Sequence, residues 1–428
     1  MRVRSSIFAL AGAVLTFAAG CGGGSAAPVR IGVLSDCYGP FGSTHELVVA
    51  SAEVPLIERG ARLRGRNPSA GIVGASVAGR PVELSIGCIA GTEEVLPEAR
   101  RLVEEDGAQI VVGPLIPEHG LVLREYAHRR PETAFLIQPS GAPELTLHEP
   151  ASNVFRFTSD NAQSVAGLGS HAYNTLGWRT AATVADDAAF GWGVVAGFVA
   201  EFCALGGRIV DRQWITVGTD PAQTVPRIPE SADGVYLGPA VSSMEGFVRR
   251  YSEGQRDPSK RLLSNGVLLY EPQALARAPG LIVGGSLPAQ PTPAAGDYLA
   301  AFTRAFPRIP AAAALSPLAV PYRDGVEAAL QALERAEGAT GKDLMSALTH
   351  LELDSLTGRI HLDRNRQAVG PNYLSQVGTD AKGKPAIKPL RVVPNVEQTF
   401  GGYFKPDDPP PSRTSPACKH GNPPPWAR

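Results

Sequence analysis

Short runs of apolar, β-branched residues alternate with longer amphipathic stretches in the first third of the chain. Runs typical of buried strands lie at 29–34, 82–86, 109–112 and 134–137. Between them, residues 93–105 carry apolar side chains at helical spacing. Because strands separated by helices need crossover connections, this pattern predicts a mainly parallel sheet.

The same pattern begins again in the second third of the chain. Strands are predicted at 180–184, 208–214, 234–237 and 261–263, and helices at 160–176, 194–205 and 243–254. Two successive α/β units, each of roughly 120 residues, indicate a two-lobed protein.

The C-terminal end has a different composition. Residues 401–428 contain eight prolines, including runs at 409–411 and 423–425. Since proline lacks an amide hydrogen and fixes φ, this segment cannot form a helix or a central strand. We expect an extended tail that is either loose or strapped along the surface.

Charge and composition narrow the class of protein. The 428 residues include 40 Lys and Arg against 41 Asp and Glu, a formal net charge of −1 that gives no electrostatic basis for binding nucleic acid. Hydrophobic residues make up 43% and charged residues 19%, as in globular proteins. The apolar stretch at 7–20 is shorter than the roughly 18 residues of a membrane span, so we expect no transmembrane segment in the mature chain.

The N-terminus has the layout of a secretory signal. Two arginines precede an apolar run at 7–19, and small residues at 18–20 stand directly before Cys21. This arrangement resembles the lipobox of bacterial lipoproteins, in which the cysteine becomes the acylated first residue. We expect residues 1–20 to be a signal peptide and 21–27 to be the lipidated cysteine and its flexible tether. Ordinary cleavage that leaves a free thiol at Cys21 is the alternative.

Four further cysteines remain in the mature chain: Cys37, Cys88, Cys203 and Cys418. An even number in an exported protein permits disulfides. Their wide spacing is unlike a zinc site, and the sequence has no C-x-x-C pair. The sequence is therefore compatible with structural disulfides and with buried free thiols at these four positions.

The sequence contains no arrangement typical of an enzyme. G-x-S-x-G and H-E-x-x-H are absent, GATGK at 338–342 lacks the spacing of a phosphate-binding loop, and the eight histidines have no metal-ligand spacing. Gly191, Gly193 and Gly197 follow a predicted strand but have one residue too many for a dinucleotide-binding turn. They predict a tight strand-to-helix turn instead. We expect neither catalysis nor a cofactor or metal.

Several segments together resemble a known family. IGVLSDCYGPFG at 31–42 resembles the opening strand and Gly-Pro turn of periplasmic solute-binding proteins of the Leu/Ile/Val (branched-chain amino acid)-binding family, which serve ABC importers. IVVGPLIPEHG at 110–120, QPSGAPELT at 138–146 and DDAAFGWG at 186–193 follow in family order. The likeness extends over about residues 29–395.

The resemblance implies the periplasmic binding protein type I fold, with two doubly wound α/β lobes joined by a hinge that close over a small solute. Lobe 1 is then expected at 28–150 plus 286–355. Lobe 2 is expected at 151–285 plus 356–394, followed by the Pro-rich tail at 395–428.

The resemblance also indicates where a solute binds, although several family residues are replaced. The serine expected after the third strand is Pro117 here. The threonine of the next loop falls near Gly141 or Ala142, and Ser140 offers a hydroxyl nearby. An α-carboxylate therefore loses two of its expected hydroxyl partners.

Two replacements fall in lobe 2. Phe190 stands where the family has a tyrosine, and Asn265 aligns with the acid that meets the ligand ammonium. A hydrogen bond to a charged group contributes about 1.5–3 kcal/mol against about 1 for a neutral one, so an α-ammonium is poorly served. We expect a small polar solute, uncharged or anionic, that is not a simple aliphatic α-amino acid. The candidate ligand-binding residues are Tyr38, Thr44, Ser140, Gly141, Ala142, Phe190, Asn265 and Tyr322.

These features together predict a non-enzymatic, lipid-anchored extracytoplasmic protein, held on the outer face of the bacterial cytoplasmic membrane or in the periplasm. It is expected to be a monomer that delivers its solute to the membrane subunits of an ABC importer. The alternative is a ligand-sensing receptor or regulator of the same fold. No segment resembles a kinase, a cyclase or a DNA-binding module, which favours capture over signalling.

Two disulfides follow from this fold. Cys37 and Cys88 lie just beyond the carboxyl ends of strands one and two, which are neighbours in a doubly wound 2-1-3 order, so they are expected to pair. Cys418 is expected to pin the tail to lobe 2 through Cys203, although Cys203 is equally suited to be a buried free thiol.

Overall fold

The computed structural model describes residues 27–217, 228–238, 262–266 and 278–428. The predicted signal peptide, Cys21 and the helix predicted at 243–254 lie outside these residues. The strands are β1 (Val29–Asp36), β2 (Arg62–Leu63), β3 (Ile72–Val73), β4 (Ala75–Val77), β5 (Arg80–Ile89), β6 (Ile110–Val112), β7 (Ala134–Leu136), β8 (Val154–Phe155), β9 (Thr180–Asp186), β10 (Arg208–Ile215), β11 (Gly234–Gly238), β12 (Leu262–Asn265), β13 (Ile282–Gly285), β14 (Leu353–Ser355), β15 (Gly358–Leu362), β16 (Ala368–Thr379) and β17 (Pro385–Val396).

The helices of the described residues alternate with these strands, as the hydrophobic pattern predicts. They are α1 (His45–Glu58), α2 (Thr92–Arg100), α3 (Pro117–Ala127), α4 (Glu144–Leu147), α5 (Leu168–Ser170), α6 (Ala189–Ala204), α7 (Pro293–Ala305), α8 (Ala311–Ala314), α9 (Val320–Arg335) and α10 (Lys342–Thr349).

The first sheet forms lobe 1 and has the strand order β4-β5-β1-β6-β7-β8. Its strands are parallel apart from β4, and Ile31 of β1 is in register with Leu84 of β5 and Ile110 of β6. Residues of α1, α9 and α10 pack on one face of this sheet, and residues of α2 and α3 pack on the other. Helices on both faces of a parallel sheet define the doubly wound architecture.

The second sheet has the order β10-β9-β11-β12-β13-β16-β15-β14, with β17 paired to β16. Its strands β9 to β13 belong to lobe 2. It is parallel from β10 to β13, and β16 joins β13 in antiparallel orientation. Phe198 and Phe202 of α6 lie in its core, where Phe198 stacks on Tyr236 of β11 with ring centroids 4.7 Å apart.

The chain passes between the lobes three times. It leaves the first sheet after Phe155 and returns to lobe 1 after Gly285. Leu353, Ile360 and Ala368 then pack in the core of lobe 1, and Leu374 packs in the core of lobe 2, so the third passage lies within β16.

A buried polar network lies at the first passage. Arg156 is fully buried, and its Nη1 donates to the carbonyl oxygens of Ser140 at 3.0 Å and Ala142 at 2.7 Å. Its Nη2 donates to Thr146 Oγ1 at 3.0 Å and lies 3.8 Å from Asp160 Oδ2. Burial lowers the pKa of Arg156 to about 10 and raises that of Asp160 to about 6. Desolvation is therefore the dominant effect on both groups.

The continuous helix predicted at 160–176 is wrong. The structure has short helical turns there, interrupted at Gly167, whose φ is +95°. The amide of Gly167 donates to the buried carboxylate of Glu201 at 2.7 Å, and a Cβ at this position would lie 2.5 Å from Val393. Packing against α6 and β17 thus overrides the local helical pattern.

The tail is strapped along lobe 2. Phe400, Phe404 and Trp426 belong to the lobe 2 core, and the rings of Phe400 and Trp426 meet edge to face at 5.2 Å.

Both predicted disulfides are present. The Cα atoms of Cys37 and Cys88 are 5.4 Å apart, and those of Cys203 and Cys418 are 5.3 Å apart. Among the described residues, no helix has the length and apolar character needed to span a membrane.

Candidate functional site

The candidate site lies where the carboxyl ends of the parallel strands of the two lobes face each other, the usual ligand position in doubly wound sheets. The lobes meet there through the first turns of α3 and α6. Glu118 of α3 accepts a hydrogen bond from the backbone amide of Ala189 in α6, with Oε1 and N 3.3 Å apart. An acceptor at the N-terminus of α6 suits the partial positive charge of a helix start.

A buried acid ends β1 beside this contact. Asp36 Oδ1 lies 3.0 Å from His119 Nδ1, and each side chain is only 4% exposed. Asp36 Oδ2 is buried and has no hydrogen-bond partner among the described residues. Since a buried acceptor without a partner costs free energy, this oxygen is a candidate acceptor for a solute donor. Asp36 was not among the predicted site residues, although an acid that ends a buried strand is a signal for it.

Asn161 is a second residue that sequence reasoning missed. Its backbone amide donates to the carbonyl of Gly141 at 2.8 Å, and a Cβ on Gly141 would lie 1.9 Å from Asn161 Oδ1. A Cβ on Gly193, in α6, would lie 2.7 Å from Asn161 Cβ. Asn161 therefore lies between the loop after β7 in lobe 1 and α6 in lobe 2. Its Nδ2 is buried and has no hydrogen-bond partner within the described ranges.

The predicted loop after β7 is buried within lobe 1. Ser140 and Ala142 have almost no exposed surface. Ser140 Oγ donates to the carbonyl of Pro117 at 3.4 Å. A Cβ on Gly120 would lie 2.0 Å from Ser140 Oγ. The Ser140 hydroxyl thus faces the first turn of α3.

The turn after β9 has the tight geometry that its glycines predict. A Cβ on Gly191 would lie 2.1 Å from the carbonyl oxygen of Asp186, so the chain turns directly from strand into helix. Phe190 is half-buried and packs against the lobe 2 core. Asp187 Oδ1 accepts from Trp192 Nε1 at 3.1 Å and from Arg413 Nε at 2.8 Å. The hydrogen bonds from Arg413 hold the pKa of Asp187 below its ordinary value.

Asn265 ends β12 and is 2% exposed, in register with Gly284 of β13. It therefore stands at the carboxyl edge of the lobe 2 sheet, as Asp186 does at the end of β9.

The other predicted residues belong to lobe 1 and differ in exposure. Tyr38, beyond β1, is 67% exposed, and Thr44 Oγ1 donates to the carbonyl of Phe41 at 2.7 Å. Tyr322 is fully buried, and its hydroxyl donates to the carbonyl of Leu34 at 2.9 Å. Burial raises the pKa of Tyr322 well above its ordinary value. The structure thus places Tyr38 on the surface and Tyr322 in the packed interior.

Among the described residues, no group of three or more His, Cys, Asp or Glu side chains is arranged to hold a metal ion.

The fold and this arrangement define a two-lobed α/β protein with its candidate site at facing strand ends. The chain belongs to the periplasmic binding protein family, whose sequence model matches residues 28–384. Proteins of this family are extracytoplasmic and bind small-molecule solutes. The predicted family resemblance and fold class are confirmed.

Solved structures of ABC transporter binding proteins are similar over most of the chain. One is an ABC transporter substrate-binding protein from Sphaerobacter thermophilus, with 25% identity and a TM-score of 0.76 over 87% of this chain and 99% of that one. A Rhodopseudomonas palustris BisB5 solute-binding protein in complex with 3,4-dihydroxybenzoic acid has 20% identity and a TM-score of 0.72, over 87% and 98%. The Streptococcus pneumoniae branched-chain amino acid binding protein LivJ, in complex with isoleucine, has 15% identity and a TM-score of 0.66, over 85% and 99%. No curated protein matches the chain.

Proposed function

We propose that this protein captures a small polar organic solute between its lobes and delivers it to the membrane subunits of an ABC importer. Membership of the periplasmic binding protein family supports capture, and the similarity to the Sphaerobacter thermophilus substrate-binding protein supports the importer as partner. In this proposal the mature chain is an exported, non-enzymatic monomer, anchored to the membrane through an acylated Cys21.

The observation that carries the proposal is a pair of buried polar atoms at the lobe junction that have no hydrogen-bond partner in the described part of the chain. Asp36 Oδ2 is an acceptor on lobe 1, and Asn161 Nδ2 is a donor on the segment that links the lobes. A solute that donates one hydrogen bond and accepts another satisfies both atoms, and burying such a pair without a partner is unfavourable.

The chemistry of these groups narrows the solute class. An amide or a hydroxylated aromatic acid offers both a donor and an acceptor, and Phe190 adds an aromatic face in lobe 2. The bound 3,4-dihydroxybenzoic acid of the Rhodopseudomonas palustris protein belongs to this class. On the lobe 2 side, Asn265 supplies an amide where an ammonium would favour a carboxylate.

Titration calorimetry tests the proposal with a defined panel: benzamide, 4-hydroxybenzoate, 3,4-dihydroxybenzoate and leucine. We expect saturable binding of an amide or a hydroxylated aromatic acid. Asp36→Asn should weaken that binding about tenfold or more, since the loss of a hydrogen bond to a charged acceptor costs about 1.5–3 kcal/mol. Asp297→Asn, at an exposed position of α7, is the matched control and should leave the affinity unchanged.

Two outcomes would overturn this assignment. One is saturable binding of leucine with the same affinity in the wild type and in Asp36→Asn. The other is binding of an aromatic acid that Asp36→Asn and Asn161→Ala both leave unaffected, which would locate the solute elsewhere.

A further inference from the structure

The tail reaches the turn after β9 through one arginine. Arg413 donates from Nε to Asp187 Oδ1 at 2.8 Å and from Nη2 to Asp187 Oδ2. Both carboxylate oxygens are thus engaged by one guanidinium, a two-point geometry that fixes orientation as well as distance. Asp187 Oδ1 also accepts from the indole of Trp192 in the first turn of α6. Arg413, Asp187 and Trp192 therefore form one connected group at the start of this helix.

The tail segment that carries Arg413 is held on both sides. Phe404 packs in the lobe 2 core before it, and Cys418 is bonded to Cys203 of α6 after it. Between them, Arg212 Nη2 donates to the carbonyl of Pro416 at 2.5 Å. An ion pair of exposed side chains contributes little when both are free to move. Here the Cys203–Cys418 disulfide restricts the tail, so less conformational entropy is lost when Arg413 pairs with Asp187.

The turn held by Arg413 is also the turn that meets lobe 1. Ala189, two residues after Asp187, donates its amide to Glu118 of α3. Phe190 follows directly, is half-buried and packs against the lobe 2 core. Displacement of Asp187 therefore changes both the lobe contact and the position of Phe190.

We propose that the C-terminal tail supports the binding site through Arg413. This arginine is a positioning residue that fixes residues 186–190 and the start of α6. The disulfide Cys203–Cys418 presents Arg413 to Asp187. The assignment of this turn to a solute cleft rests on the proposed function, whereas the positioning itself does not.

Hydrogen–deuterium exchange of the full-length, solute-free protein tests the positioning. In Arg413→Gln we expect exchange across residues 186–193 to become about fivefold faster, the factor that corresponds to a well-oriented pair. Arg413→Lys should restore part of the protection, because lysine keeps the charge but loses the two-point geometry. Arg308→Gln, at an exposed position without a described partner, is the matched control and should exchange like the wild type.

Indole fluorescence gives a second, independent signal. The contribution of Trp192, isolated as the difference from Trp192→Phe spectra, should change in Arg413→Gln because its acceptor Asp187 loses the arginine. Cys418→Ser should reproduce part of both effects, since it loosens the segment between Phe404 and Trp426 without changing the arginine at position 413. Wild-type exchange and emission in Arg413→Gln would overturn the proposal. Because no solute is present, a negative titration panel does not affect this result.

Discussion

Glu53 is a buried acid whose ionisation should control the stability of lobe 1. It lies in α1, is fully buried, and neither carboxylate oxygen has a hydrogen-bond partner among the described residues. Burial, with a smaller contribution from the charge of Glu46, raises its pKa from 4.5 to about 8. The perturbation is Glu53→Gln, which keeps the shape of the side chain and removes the ionisation.

The sign and size follow from proton linkage. Between pH 4.5 and 8 the unfolded chain releases the proton of Glu53 while the folded protein retains it, so the free energy of unfolding falls as the pH rises. The loss reaches about 4 kcal/mol at pH 8, where the folded protein begins to release the proton as well, since each unit of pKa difference corresponds to about 1.4 kcal/mol. Below pH 4.5 both states hold the proton and the stabilisation is fully present.

Urea unfolding at several pH values measures this effect. The free energy of unfolding of Glu53→Gln minus that of the wild type should rise from its value at pH 4.5 by about 4 kcal/mol at pH 8. Other titrating groups cancel in this difference. Glu105→Gln, at an exposed position, is the control and should give a flat difference. A flat difference for Glu53→Gln would show that folding does not raise the pKa of Glu53.

Two further predictions concern packing and cross-links. Replacing both Cys37 and Cys88 with alanine should lower the free energy of unfolding by about 4 kcal/mol, because the disulfide closes a 51-residue separation, and urea titration would measure it; no loss would contradict this. Gly197→Ala should cost about 1–3 kcal/mol, because the new Cβ would lie 2.2 Å from the carbonyl of Ala162. Gly296→Ala, in a helix with open space around it, should stabilise by about 0.5–1 kcal/mol, and equal melting temperatures of the two variants would contradict the assigned contacts.

Local pattern predicted the alternation of strands and helices, because buried parallel strands and amphipathic helices have distinct periodicities. It failed at 160–176, where Gly167 and its contact with Glu201 interrupt the helix. It also gave no signal for β8, a two-residue strand that pairs with β7 only through tertiary contact. Such features depend on residues distant in sequence.

Part of the candidate site could likewise be predicted from the sequence, and part of it could not. The loops were predictable, because ligands of doubly wound folds bind at the carboxyl ends of strands. The contribution of Asp36 depends on which of its oxygens lies beside His119. The contribution of Asn161 depends on its contact with Gly141. The contribution of Arg413 depends on a disulfide between two cysteines that are 215 residues apart in the sequence. These properties arise only when the lobes and the tail are assembled.

Small-angle X-ray scattering with and without solute tests most directly that the lobes close over a solute between them. We expect a saturating concentration of the solute identified by calorimetry to lower the radius of gyration of the wild-type protein. At that concentration, Asp36→Asn should change less, because fewer of its molecules are occupied. Saturable binding that leaves the wild-type radius of gyration unchanged would contradict capture by closure of the lobes.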